Sequence, residues 1–278
     1  MLYPRMLDPP DRTPSTQFIE LPGGRIAYDV SGPRSARLIV CMHGMGDTRR
    51  SYRFLAPRLA DAGYRVATMD VRGHGETGIG WPRYGAIPAA SDAVALIRQL
   101  GGPAVLVGHS GTGRTAVWAA AEHPEDVSAL VLIDSFVRDT RPSLIARLAA
   151  EIVGRSATLW TRYYASLYPT RKPADFDDYL RVLKQKMREP ERLTAMRRLL
   201  TQPREENRDR LAEVRCPALV IMGGKDGDFR DPAAEAQLIA SGLRTEGRVA
   251  LIPEAGHYPH AEFPEETAAA VTRFLAES

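Results

Sequence analysis

Hydrophobic positions in this chain cluster into short runs, and between the runs they recur at three- and four-residue intervals. Phe18–Leu21 and Arg25–Val30, joined by the turn Pro22-Gly23-Gly24, read as an opening β-hairpin. Leu38–Met42, Arg65–Met69, Ala104–Val107, Ala129–Ile133, Ala218–Met222 and Arg248–Ile252 read as six further strands. Ala104–Val107 is apolar throughout, as suits a strand covered on both faces of a parallel sheet. Helical spacing fills the gaps: about 50–62 with a stop at Gly63, about 89–100 with a stop at Gly101-Gly102, 111–122, and about 264–276. The alternation predicts an α/β fold built on a doubly wound, mostly parallel sheet of eight strands. In such sheets a ligand site lies at the carboxyl ends of the strands.

The rhythm breaks after Asp134. Residues 138–201 hold helical stretches rich in Arg, Leu and aromatics and no convincing strand, which predicts a helical cap inserted after the sixth strand. The expected organisation is a flexible lead-in at 1–15, a core domain from 16–137 and 202–278, and the cap between its two parts. Composition adds mainly exclusions. A hydrophobic share of 44% and a charged share of 26% are ordinary for a globular protein, and 278 residues suffice for one such domain. A formal charge of +3 gives no reason to expect nucleic acid as a partner. The apolar runs are too short to cross a bilayer, and proline and charge occupy the N-terminus where a signal peptide needs an apolar stretch. No membrane association is expected. Cys41 and Cys216, each flanked by apolar residues, read as free thiols of a cytoplasmic protein. Oligomeric state stays open, a homodimer included.

Three segments at strand ends carry chemistry. Val105-Leu106-Val107-Gly108-His109-Ser110-Gly111-Thr112-Gly113 runs from a buried strand into a serine flanked by small residues, and then into a helix. A serine on so tight a turn is lifted into the site at a helix N-terminus, where backbone amides favour developing negative charge. Thr112 stands where the second glycine of G-x-S-x-G is usual, and Gly113 comes one place late. The loop after the last strand, Glu254-Ala255-Gly256-His257-Tyr258-Pro259-His260, supplies a candidate base. His257 ranks above His260 because a glycine precedes it. Ile221-Met222-Gly223-Gly224-Lys225-Asp226-Gly227-Asp228 supplies a carboxylate for the far side of the imidazole. On spacing alone Asp226 and Asp228 both qualify, and Asp134 is a third option. The order Ser110, acid, His257 suits nucleophilic acyl transfer on a strand–turn–helix elbow.

With these segments, His43-Gly44-Met45-Gly46-Asp47, Asp70-Val71-Arg72-Gly73-His74-Gly75-Glu76-Thr77 and Cys216-Pro217 make the chain from about Phe18 onward resemble the α/β-hydrolase superfamily. It is most similar to the esterase, perhydrolase and epoxide-hydrolase-like branch. The resemblance implies Asp226 as the acid, at the G-x-x-D position. It implies an oxyanion hole from the backbone N–H groups of Met45 and Gly111, with His43 structural and His74 a loop residue. Serine at the elbow, where epoxide hydrolases and dehalogenases carry aspartate, implies an acyl-enzyme and no metal or organic cofactor.

The expected activity is hydrolysis of a small-to-medium acyl ester, with a small-molecule acyl substrate as partner. The same triad could serve a thioesterase, lactonase, perhydrolase or carbon–carbon bond hydrolase. A reading of another class is a ligand-binding receptor on the same fold. From Arg138 to Thr201, 14 Arg or Lys face 7 Asp or Glu, a local +7 that reads as solvated cap faces or as a rim for an anionic substrate. Candidate substrate-binding residues are His109, Trp81, Tyr84, Trp160, Tyr164 and Tyr258.

Overall fold

In a computed structural model of the protein, residues 15–138, 152–200, 209–245 and 247–278 are described. Eight strands form one sheet: β1 (Gln17–Leu21), β2 (Gly24–Ser31), β3 (Leu38–Met42), β4 (Arg65–Met69), β5 (Ala104–His109), β6 (Val127–Ile133), β7 (Ala218–Gly223) and β8 (Gly247–Ile252). Their order is β1-β2-β4-β3-β5-β6-β7-β8. The hairpin pairs antiparallel, β2 joins β4 antiparallel, and every other neighbour is parallel. Winding reverses direction between β3 and β5, which leaves a crevice at their carboxyl ends.

Period-2 alternation divides the central strands between two cores. Val40, Met42, Leu106, Leu130, Leu132 and Val220 face α2 (Ala86–Gln99), α3 (Thr112–Glu122) and α7 (Pro232–Gly242). Ile39, Cys41, Val105, Val107, Val131 and Ile221 face α1 (Leu55–Asp61) and α9 (Pro264–Ala276). Each fully buried leucine contributes roughly 1.5–3 kcal/mol by leaving water. With helices on both faces, the strands must be apolar on both sides.

Two helix starts differ from the periodicity, and prolines explain both. The helix expected over 50–62 is a 3₁₀ turn at Arg49–Tyr52 followed by α1 from Leu55. Pro57 lacks an N–H to donate to residue 53, so it fits only in a first turn. The helix expected from residue 89 begins at Ala86 and places Pro88 in its first turn for the same reason.

Between β6 and β7 the described residues contain helices and no strand: α4 (Ala157–Ser166), α5 (Phe176–Met187) and α6 (Arg192–Leu200). Trp160, Tyr164, Phe176, Tyr179, Leu183 and Met196 form a separate apolar cluster that reaches the core domain at Tyr258 and Ala261. Residues 1–14 of the lead-in, and 139–151 and 201 of the cap, lie outside the described residues. No helix among the described residues is long and apolar enough to cross a membrane.

Candidate active site

β5 ends at His109, and Ser110 turns the chain into α3 with φ +54°, a conformation costly for any residue bearing a Cβ. The turn is held from both sides. Ser110 donates its N–H to the Ile133 carbonyl at 2.9 Å, and its own carbonyl accepts the amides of Gly113 and Phe136 at 3.1 Å each. Strand and helix approach so closely that a Cβ on Gly108 would stand 2.8 Å from the Gly113 Cα, and one on Gly113 would stand 2.3 Å from Ser135. Gly113 thus takes the close approach that the usual motif gives to the position before it. Thr112 uses its hydroxyl, which accepts the His109 N–H at 3.0 Å and lies 2.9 Å from the Met42 carbonyl, joining the ends of β5 and β3.

The loop after β3 passes directly beside this elbow: a Cβ on Gly44 would stand 3.0 Å from the Ser110 Cβ. Among the described residues neither the Met45 nor the Gly111 N–H donates to another protein group. Two buried histidines shape the loop. His43 accepts the Val71 N–H on Nε2 at 3.2 Å and places Nδ1 2.7 Å from the Gly44 carbonyl. His74 accepts the Gly46 N–H on Nε2 at 2.9 Å and places Nδ1 3.0 Å from the Arg72 carbonyl. Burial lowers their pKa values to about 4 and about 3, so both stay neutral and can accept. His74, expected to be an ordinary loop residue, is therefore a support of the Gly46 turn.

The cap fastens to the same loop. Trp160 donates its indole N–H to the Gly46 carbonyl at 3.0 Å. The Asp47 carboxylate accepts from the hydroxyl of Tyr164 at 3.0 Å, from that of Tyr179, and from the Thr48 amide at 2.7 Å. Burial drives the Asp47 carboxyl up to about 6, against the pull of these donors.

His257 is set in the loop between β8 and the short helix α8 (Pro259–Glu262). Its N–H donates to the Leu167 carbonyl at 3.1 Å, and its carbonyl accepts from His109 Nε2 at 2.8 Å. The buried Glu262 carboxylate accepts the Gly256 N–H at 2.7 Å, and its burial raises that carboxyl to about 7. His257 Nδ1 lies 2.6 Å from Asp226 Oδ2. Burial works against the imidazolium, yet the charge and hydrogen bond of Asp226 outweigh it and raise the His257 pKa. Asp228 lies farther off, at 3.9 Å, with its carboxylate taken by the Tyr163 hydroxyl at 2.7 Å. Asp134 is fully buried, and its Oδ1 accepts the Gly223 amide at 2.8 Å. His260 is also fully buried and stacked 4.8 Å from Tyr52, and among the described residues neither of its ring nitrogens is hydrogen-bonded.

The side chains suggested for substrate contact are less than one-tenth exposed and serve packing. His109 holds the His257 backbone. Trp81 lies on the β1–β2 turn, where its ring would stand 2.8 Å from a Cβ on Gly24. Tyr84 accepts the Gly80 amide at 3.2 Å. Trp160 and Tyr164 hold the Gly46–Asp47 turn, and Tyr258 stacks on Tyr168 at 5.0 Å. Sequence reading missed Asp47, His74, Tyr163 and Glu262 as supports, although Asp47 and His74 lay inside motifs already singled out.

Comparison with known proteins identifies the family of the chain. The profile of the alpha/beta hydrolase family matches residues 39–270. The chain is 29% identical over 275 residues to the putative 2-succinyl-6-hydroxy-2,4-cyclohexadiene-1-carboxylate synthase of Bacillus subtilis (strain 168), covering 91% of this chain and 95% of that one. It is 29% identical over 254 residues to a pimeloyl-[acyl-carrier protein] methyl ester esterase of Neisseria meningitidis serogroup A, covering 88% of this chain and 78% of that one. A crystal structure of a bacterial membrane phospholipase A superposes with a TM-score of 0.82 at 24% identity, covering 95% of this chain and 86% of that one. With its family profile matched over most of its length, the chain belongs to the alpha/beta hydrolase family and is a hydrolase.

Proposed function

We propose that the protein is a serine esterase that works through an acyl-enzyme on Ser110. The observation that carries this reading is the 2.6 Å contact between His257 Nδ1 and Asp226, on a loop packed against the residue before Ser110. That contact holds the proton on Nδ1 and leaves Nε2 as the base. His257 takes the Ser110 proton as the hydroxyl oxygen bonds to the ester carbonyl carbon. The tetrahedral oxyanion receives the unused amides of Met45 and Gly111. Collapse breaks the carbon–oxygen bond, and His257 returns the proton to the departing alcohol. Water, deprotonated by His257, then releases the acid and restores Ser110.

A fluorophosphonate probe tests the nucleophile without assuming a substrate. The expected result is a single adduct on Ser110 by peptide mass spectrometry, absent after His257→Ala. No adduct on the folded protein would overturn the reading. A panel of esters, thioesters and lactones graded by acyl length would then define the leaving group.

A further inference from the structure

The residue after β6 is also strained. Asp134 has φ +42°, its amide donates to the Ile221 carbonyl at 2.9 Å, and its side chain is fully buried. An aspartate held left-handed and out of water persists only where its surroundings fix it, which asks for a purpose beyond turning the chain. Asp134 Oδ1 is satisfied by the Gly223 amide. Oδ2 is buried and, among the described residues, meets no N–H or O–H donor. Asp134, Asp226 and His257 each offer a polar atom within 4.8 Å of the others.

Two ionised carboxylates cannot share so small a buried space without one taking a proton. The donors decide which one. Asp226 receives His257 Nδ1 at 2.6 Å and the Asp228 amide at 3.0 Å, so the anion is stabilised there. Asp134 receives one amide. We infer that Asp134 is held as a neutral carboxylic acid whose O–H donates to the Asp226 carboxylate, making it a positioning residue for the His257–Asp226 pair. The inference rests on the proposed triad only for its kinetic consequence.

The surrounding charges agree. Burial, and next the Asp226 charge, raise the Asp134 pKa well above the carboxylate range. Burial opposes ionisation of Asp226, yet His257, then Asp134 and the Asp228 amide, hold its pKa below the ordinary aspartate value. The other titratable groups around the pair are Asp228 beside His257, Tyr163 on Asp228, Glu262 of α8, and the neutral His109 and His260 rings. None is a cation that would favour ionised Asp134. The donated hydrogen bond locks the Asp226 orientation and spreads its charge, which moderates the basicity of His257.

Infrared difference spectroscopy of wild type minus Asp134→Asn at pH 7 tests the protonation directly. A buried protonated-carboxyl C=O band is expected, and a carboxylate band in its place would overturn the inference. If Asp134→Asn does not fold, carboxyl-carbon NMR of isotope-labelled aspartates in the wild type replaces it. One aspartate still protonated at pH 7 is expected, and full ionisation of every aspartate overturns the inference. The pH profile of kcat/KM separates positioning from general damage. Asp134→Asn, whose amide N–H can take over the donation, should leave the acid limb within about 0.3 of a pH unit, whereas Asp134→Ala should raise it by roughly half a unit or more. A lower limb in both variants would mean that an ionised Asp134 had been acting on His257, and the inference fails. Fluorophosphonate labelling of wild-type Ser110 reports separately on the proposed function.

Discussion

The Trp160 indole, on a cap helix, donates to the backbone carbonyl of Gly46, one residue after an amide proposed to stabilise the oxyanion. This contact ties the position of the cap helix to the shape of the loop. Trp160→Phe keeps most of the ring and removes the donor. A buried hydrogen bond of this kind is worth about 1 kcal/mol, so kcat/KM should fall roughly fivefold with little change in Tm. Steady-state kinetics beside a melting curve checks this. Unchanged kinetics would show that the cap does not set the loop.

Ser110→Ala leaves the strained turn and its backbone hydrogen bonds in place. Turnover should drop by several powers of ten while Tm stays near wild type. Near wild-type turnover in the folded variant would remove Ser110 from the mechanism.

The His257 pKa is raised by Asp226, and only the neutral imidazole can accept the Ser110 proton. Activity should therefore be lost on acidification, with its acid limb above about 6.5, the ordinary imidazole value. Asp226→Asn should cost on the order of 10⁴ in kcat, because the Nδ1 proton loses its carboxylate. Asp228→Asn, 3.9 Å away and engaged by Tyr163, should cost under about tenfold. Reversed ranks in the two pH–rate profiles would transfer the acid role to Asp228.

His74→Phe removes the acceptor of the Gly46 amide and leaves that N–H buried without a partner. The cost of such a group, about 1–3 kcal/mol, should appear mainly in kcat, since the loop it shapes carries the Met45 amide. A change in KM alone would place His74 in ground-state binding.

Much of this architecture was legible along the chain because it rests on local rules. Runs such as Leu38–Met42 and Ala104–Val107 had to be strands under helices on both faces, and all eight appear. Ser110 and His257 could be singled out because their neighbours are shaped by the same backbone demands, a tight turn and a glycine before the imidazole. Helix starts were harder, since Pro57 and Pro88 define a first turn more strongly than apolar spacing does.

What spacing left open was decided by contacts between residues far apart in sequence. Asp134, Asp226 and Asp228 all follow strand ends and look alike in one dimension. Only the packing of the β7 and β8 loops brings Asp226 to 2.6 Å from Nδ1, gives Asp228 to Tyr163 of the cap, and buries Asp134 behind the pair. Trp160 and Tyr164 recur at helical spacing, which tells that one face is buried but not what it is buried against. Trp160 and Tyr164 turned to the Gly46–Asp47 loop because its carbonyl and carboxylate required donors once water was excluded. Hydrophobic pattern and turn chemistry determine where strands end and which residues stand there. The pairing of buried polar groups across the fold determines what each of them does.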